Sequence, residues 1–113
     1  MTDVKHTLRG GEPQSQYSIP FFQGCINRML TSFHKYGHVK TAVTVIDCIE
    51  SSRQRVRKYQ ESGNTEFLMD AANYLMMEYM HPSHEKAHFD AESRSPGRVT
   101  KSGRITVKHS EDL

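Results

Sequence analysis

The stretch Asn64 to Pro82, NTEFLMDAANYLMMEYMHP, decides the fold, because it joins a helix start, a sustained helical pattern and a hard stop. Asn64 is a good N-cap, since its side-chain oxygen can accept from N–H groups left unpaired in the first turn. Glu66 sits in that turn, where the positive end of the helix dipole favours a carboxylate. Pro82 ends the run by pushing the residue before it out of the α region. Between them Leu68, Ala71, Ala72, Leu75, Met76 and Tyr79 share one face at 3.6-residue spacing. Tyr74, Met77 and Met80 add apolar surface elsewhere, and a helix apolar most of the way round is buried or meets a second partner.

Working outward, a preceding helix spans about 38–62, with Val39, Ala42, Val43, Ile46, Ile49 and Val56 as its stripe and Gly63 as its stop. Glu50 and Arg53 fall inside that stripe. They are read as an i, i+3 ion pair at the edge of the core, or alternatively as part of a polar site between helices. Before it a helix at about 20–36 opens on Ser18 and Pro20 and closes on Gly37. Phe22, Cys25, Ile26, Met29, Phe33 and Tyr36 line it. The connections at Gly37 and Gly63 are a few residues long, which predicts an antiparallel three-helix bundle. The fold class is therefore all-α, with residues 1–17 a flexible N-terminal arm, 18–82 the bundle and 83–113 a C-terminal extension. Ser95-Pro96-Gly97-Arg98-Val99-Thr100-Lys101 is echoed by Ser102-Gly103-Arg104-Ile105-Thr106-Val107-Lys108. That extension is accordingly expected as a small hairpin across Lys101–Gly103 or as irregular chain.

Composition bounds the function. At 113 residues the chain holds one modest core, and hydrophobic residues are only 35% of it. A formal charge of +2 is too small to attract nucleic acid by its field alone. The basic segment from Arg98 to Lys108 contains no aromatic residue to stack on bases. Cys25 and Cys48 lack metal-ligand spacing and read as free thiols. No apolar run approaches membrane-spanning length, and MTDVKHTLRGGEPQ lacks the apolar segment of a secretory signal, so a cytoplasmic protein is expected. The surplus apolar faces predict a homo-oligomer.

Three constellations carry chemistry. His84-Glu85-Lys86-Ala87-His88 has the H-E-x-x-H spacing of zinc proteases, but it follows a proline and Glu92 is the sole nearby third ligand, so surface histidines are the expectation, with an adventitious metal site of His81, His84 and His88 as the alternative. Ser93-Arg94-Ser95-Pro96-Gly97-Arg98 has the hydroxyls, glycine backbone and guanidiniums of an anion-binding loop, against the plainer reading of a basic surface turn. Arg94, Ser95, Gly97 and Arg98, with Asp70 and Asn73 on the decisive helix, are therefore the candidate ligand-binding residues for a small phosphorylated ligand. Arg94 and Arg98 supply the charge. Third, Glu66, Asp70 and Asn73 follow at i, i+4 and i+7, while Asp47 and Glu50 lie at i, i+3 on the preceding helix. Acidic pairs on neighbouring helices can hold Mg²⁺, and the alternative is a solvated polar face.

The paired polar positions Asp47 and Glu50, then Asp70 and Asn73, resemble the signature of all-α nucleoside triphosphate pyrophosphohydrolases of the MazG type, E-x-x-E on one helix and E-x-x-D on the next. Three of the four positions depart from it, and Asn73 replaces a charged ligand with a neutral one. The resemblance implies Asp47, Glu50 and Asp70 as metal ligands if the chain is an enzyme, and the departures imply weakened or lost catalysis. A second resemblance rests on Gly63-Asn64-Thr65-Glu66, Asp70 to Asn73, Glu78 to Pro82, Ala87-His88-Phe89 and Ser95-Pro96-Gly97-Arg98. This set resembles short helical proteins of bacteriophages and bacterial mobile elements. It implies a phage context, in which small proteins act on host defences by binding a target or sequestering a signalling nucleotide. The expected function is thus non-catalytic capture of a nucleotide-like ligand in the host cytoplasm, without a cofactor. A protein-binding inhibitor of host defence and a Mg²⁺-dependent pyrophosphohydrolase are the alternatives.

Overall fold

A computed structural model describes residues 14–91, 97–103 and 105–106. The expected N-terminal arm lies outside the described residues as far as position 13, and Gln14–Gln16 form one 3-10 turn. The chain is mainly α-helical. Helix α1 covers Ile19–Tyr36, and its cap is the expected one: the Phe21 N–H donates to Ser18 Oγ at 3.1 Å. Gly37 ends it at φ 87, a conformation that disfavours any side chain.

The helix expected over 38–62 is in fact two. Helix α2 covers only Val39–Ala42, residues 43–45 turn, and α3 covers Cys48–Ser62. Two local forces beat the apolar periodicity that reads straight through. Val43 to Ile46 is a run of four β-branched residues, each stiff at χ1 and crowded in a helix, and Thr44 Oγ1 donates to the Thr41 carbonyl at 2.7 Å. Asp47 then restarts the helix as an N-cap, accepting from the Glu50 N–H at 2.9 Å. Gly63 closes α3 in the left-handed region, its N–H on the Tyr59 carbonyl at 2.7 Å. Helix α4 covers Glu66–Met80, with the Glu66 N–H donating to Asn64 Oδ1 at 3.0 Å, and it stops one residue short of His81-Pro82.

These helices form the expected antiparallel bundle. Helices α3 and α4 make a hairpin about Gly63, and α4 also packs on α1. Gly24 and Cys25 lie at Met69, and further along Phe33 lies near Met77 and Met80, so α1 runs in the same sense as α4 and opposite to α3. Close approach relies on small residues. Ser52 Oγ donates to the Ala71 carbonyl at 3.0 Å across α3–α4, and the missing side chain of Gly24 leaves room for the end of Met69.

The core is thin and differs from expectation. Among the described residues the buried ones are Cys48, Ala71 and Met77 with the polar Ser52 and Asn73, and no large side chain is fully buried. Of the apolar face expected to turn inward on α4, only Ala71 is buried. Leu75, Met76 and Tyr79 are exposed, and the polar stripe of Asp70 and Asn73 turns inward instead, because its partners wait there. No helix of the described residues is long and apolar enough to cross a membrane.

The described residues fall into two compact units, the helices through Ala87 and the segment from His88 onward. In the second, β1 (Arg98–Val99) pairs antiparallel with β2 (Ile105–Thr106), Arg98 opposite Thr106 and Val99 opposite Ile105. This is the hairpin expected across Lys101–Gly103, and Gly103 supplies its positive φ of 92.

If Asp47 is what divides α2 from α3, Asp47→Ala destabilises the protein by about 1 kcal/mol. The melting temperature followed by circular dichroism then falls by about 4 °C. An unchanged melting temperature would show that the break needs no cap.

Candidate functional site

The inward faces follow from helical spacing. On α4, Glu66, Asp70, Asn73 and Met77 succeed one another at steps of three or four and share a face. On α1, Cys25, Arg28, Met29 and Ser32 do the same, as do Cys48, Ser52, Arg55 and Tyr59 on α3. Where the three faces meet, the interior is polar.

Arg28 is its centre. Its Nε donates to Asp70 Oδ1 at 2.7 Å and its Nη2 to Asp70 Oδ2 at 3.3 Å, a two-point guanidinium–carboxylate pair between α1 and α4. The remaining arm reaches Glu66 Oε2 at 2.6 Å, one turn earlier on α4. The hydrogen bond that Arg28 donates to Asp70 above all, with that to Glu66, raises its pKa against the opposing effect of burial. Asn73 adds a neutral tie, its Nδ2 donating to the Cys25 carbonyl at 3.0 Å. Burial, reinforced by the Asp70 charge, pushes the Cys25 thiol up, and burial does the same to Cys48, which favours the protonated thiol at both. Both cysteines are free, as the sequence suggests.

Arg55 approaches from α3 and is held differently. Its Nε is 3.8 Å from Asp70 Oδ2, beyond hydrogen-bond length, and its guanidinium lies 5.3 Å from the centre of the Tyr74 ring. The bonds it does make, to Gln54 Oε1 and to the Tyr74 hydroxyl at 3.4 Å, go to neutral groups. Arg28 is thus saturated by two carboxylates, while Arg55 keeps donor capacity.

Beside these groups opens a cleft of about 500 Å³, within the range of small-molecule sites. Arg28, Ser32, Arg55, Asp70, Asn73 and Tyr74 form its polar side. Met29, Phe33, Val39, Ile46 and Met77 form its apolar side.

Of the candidate ligand-binding residues, Asp70 and Asn73 line this cleft. Arg94 and Ser95 lie outside the described residues. Gly97 and Arg98 belong to the second unit, where Arg98 opens β1. The suggested Mg²⁺ ligands are engaged elsewhere. Asp47 caps α3. Glu50 is exposed and meets Arg57 at 3.0 Å and Arg53 at 3.6 Å, which is the ion pair expected at i, i+3. Among the described residues no three His, Cys, Asp or Glu side chains gather as a metal site. His84 sits in a turn rather than a helix, its Nδ1 accepting from the Lys86 N–H at 2.9 Å. Sequence reasoning missed Arg28 and Arg55. The available signal was a charged residue among inward positions of α1, which demands an acid across from it, and Asp70 is the acid similarly placed on α4.

No protein-family model matches the chain, and neither curated protein sequences nor solved structures give a significant match.

Removing Asp70 leaves Arg28 with one carboxylate and Arg55 with none nearby. With Arg28 about a third exposed, at 36%, Asp70→Ala should cost on the order of 1 kcal/mol in urea unfolding, with a smaller loss at high salt. A cost that is absent, or that does not diminish with salt, would show that the pair is not an electrostatic tie.

Proposed function

We propose that this chain is a non-catalytic helical binding protein that captures a small phosphorylated ligand in the cleft between α1, α3 and α4. The observation that carries the reading is Arg55. It is a half-buried guanidinium at the cleft, oriented by Tyr74, and its hydrogen-bonded partners there are neutral. Such a group has donors left for a phosphate, and the apolar side of the same cleft suits a flat ring. The likeness to small phage and mobile-element proteins points to a nucleotide of host-defence signalling as the ligand class, sequestered in the host cytoplasm. The basic segment Arg94–Arg98 is the competing location for the phosphate.

A protein-binding inhibitor of host defence is the second reading, favoured by the exposed apolar side chains of α1 and α4. The Mg²⁺-dependent pyrophosphohydrolase reading is weaker, since Asp70 is committed to Arg28 and Asp47 to a helix cap.

A thermal-shift screen against mono-, di- and cyclic nucleotides, each with and without Mg²⁺, separates the three. Capture predicts stabilisation without turnover. A charge-assisted bond is worth about 1.5–3 kcal/mol, so Arg55→Ala should weaken binding by roughly tenfold or more while Arg98→Ala changes it little. The reverse result moves the phosphate to the tail. Turnover lost in Asp70→Ala supports the enzyme, and no response to any nucleotide favours a protein target.

A further inference from the structure

Helix α1 is 18 residues long and buries none of them. Its side toward α4 is half-covered, and the adjoining side is open: Phe22 is 55% exposed, Ile26 53% and Leu30 56%. Helix α4 has the same character, with Leu75 at 52%, Met76 at 38% and Tyr79 at 74%. At 100° per residue, α1's open stripe lies roughly 120° clockwise of its contact with α4, seen from the N-terminus. On α4 the open stripe lies a similar angle anticlockwise of its contact with α1. The two helices run in the same sense, so both stripes open on one side of the pair, opposite α3. Leu30, Phe33 and Met80 border one shallow depression, closed at its end by His38, Val39, Lys40 and Thr41 around α2.

From these features we infer that the open α1–α4 face is covered by the same face of a second copy of this chain, giving a pair in which two helices from each subunit complete a four-helix layer. Three observations select this occupant. The first is area. Six side chains about half exposed put on the order of 600 Å² of apolar surface in one patch. That is the upper end of what monomers leave open and close to the roughly 800 Å² per partner of a stable interface.

The second is charge. The six side chains of the patch are uncharged: on α1 they are flanked by Gln23, Asn27 and His34, the acids of α4 (Glu66, Asp70 and Glu78) lie on its other sides, and Lys40 of α2 stands at the end of the depression. Two copies can meet there without like-charge repulsion, and nothing in the patch would select an oppositely charged partner. The third is the core. A bundle whose described residues bury Cys48, Ala71 and Met77 as their apolar core needs its covering surface at all times, not only when a target is present. A second copy meets that need and an intermittent target does not. The depression and the cleft share Phe33 at their border, but none of the six side chains of the patch lines the cleft, so the pairing does not rest on the ligand proposal.

Sedimentation equilibrium of the full chain at micromolar concentration tests this directly. The expected mass is twice the 13.0 kDa chain, and the melting temperature should rise with protein concentration. Ile26→Asp should shift the protein to single chains, and the milder Leu30→Gln should weaken pairing at least tenfold. Val56→Asp, at an exposed apolar position of α3 on the far side, should leave the pair intact. A mass of one chain with concentration-independent melting overturns the inference, whether another segment of the chain or solvent covers the face. So does a mass larger than two chains, an Ile26→Asp variant that stays paired, or a pair broken by Val56→Asp.

Discussion

The two-point contact between Arg28 and Asp70 is the constraint on which the rest of the structure depends. A guanidinium on an inward position of α1 must have an acid opposite, and α4 satisfies it by rotating Asp70, with Glu66 and Asn73, toward the interior. That rotation settles everything else on α4. Ala71 then meets Ser52 of α3, and Met77 fills the space beneath the cleft. Leu75, Met76 and Tyr79 are carried to the opposite side. Partly buried charge pairs add little net stability, because desolvation offsets most of their attraction. Their contribution is to fix register: a slip of one turn would strand Arg28 and Asp70 together. The bundle is therefore specified by a polar contact more than by a volume of packed hydrocarbon.

What could be read beforehand follows from how local each signal is. The limits of α1 came from Ser18, Pro20 and Gly37, and those of α4 from Asn64 and Pro82, all acting within a few residues. The all-α class and the short turn of the C-terminal hairpin were legible for the same reason. The break before α3 was also written locally, in Val43–Ile46 and Asp47, but the apolar stripe running through it suggested continuity. The rotation of α4 was not legible. Periodicity shows that a helix has an apolar and a polar face, and the usual inference places the apolar one inside. Here the deciding partner, Arg28, is 42 residues away in sequence. The candidate site divides along the same line: Asp70 and Asn73 stood out as a polar stripe, whereas Arg28 and Arg55 acquire meaning only once three helices are assembled.

The site and the thin core share an origin. Small side chains at Gly24, Ser52 and Ala71 let the helices approach at particular points, and between those points the interior stays open enough to leave a cleft. Larger residues would close the cleft and strengthen the core together. An interior of two arginines, acids and an asparagine is a poor stabiliser, and its value to the protein is better sought in recognition.

The unequal attachment of the helices also sets an order of assembly. Helices α3 and α4 are joined by a three-residue connection, and their contacts are local in sequence, so closing that hairpin costs little chain entropy. The hydrogen bonds from α1 to α4 instead span about forty residues, so docking α1 closes a longer loop at a larger entropic cost. In an isolated chain α1 is consequently the last element to dock and the first to open, and its amide protons exchange from a more frequently unfolded state than those of Ala71 or Ser52. The helix that supplies Arg28 to the interior is thus also the one whose departure would bare the cleft to solvent.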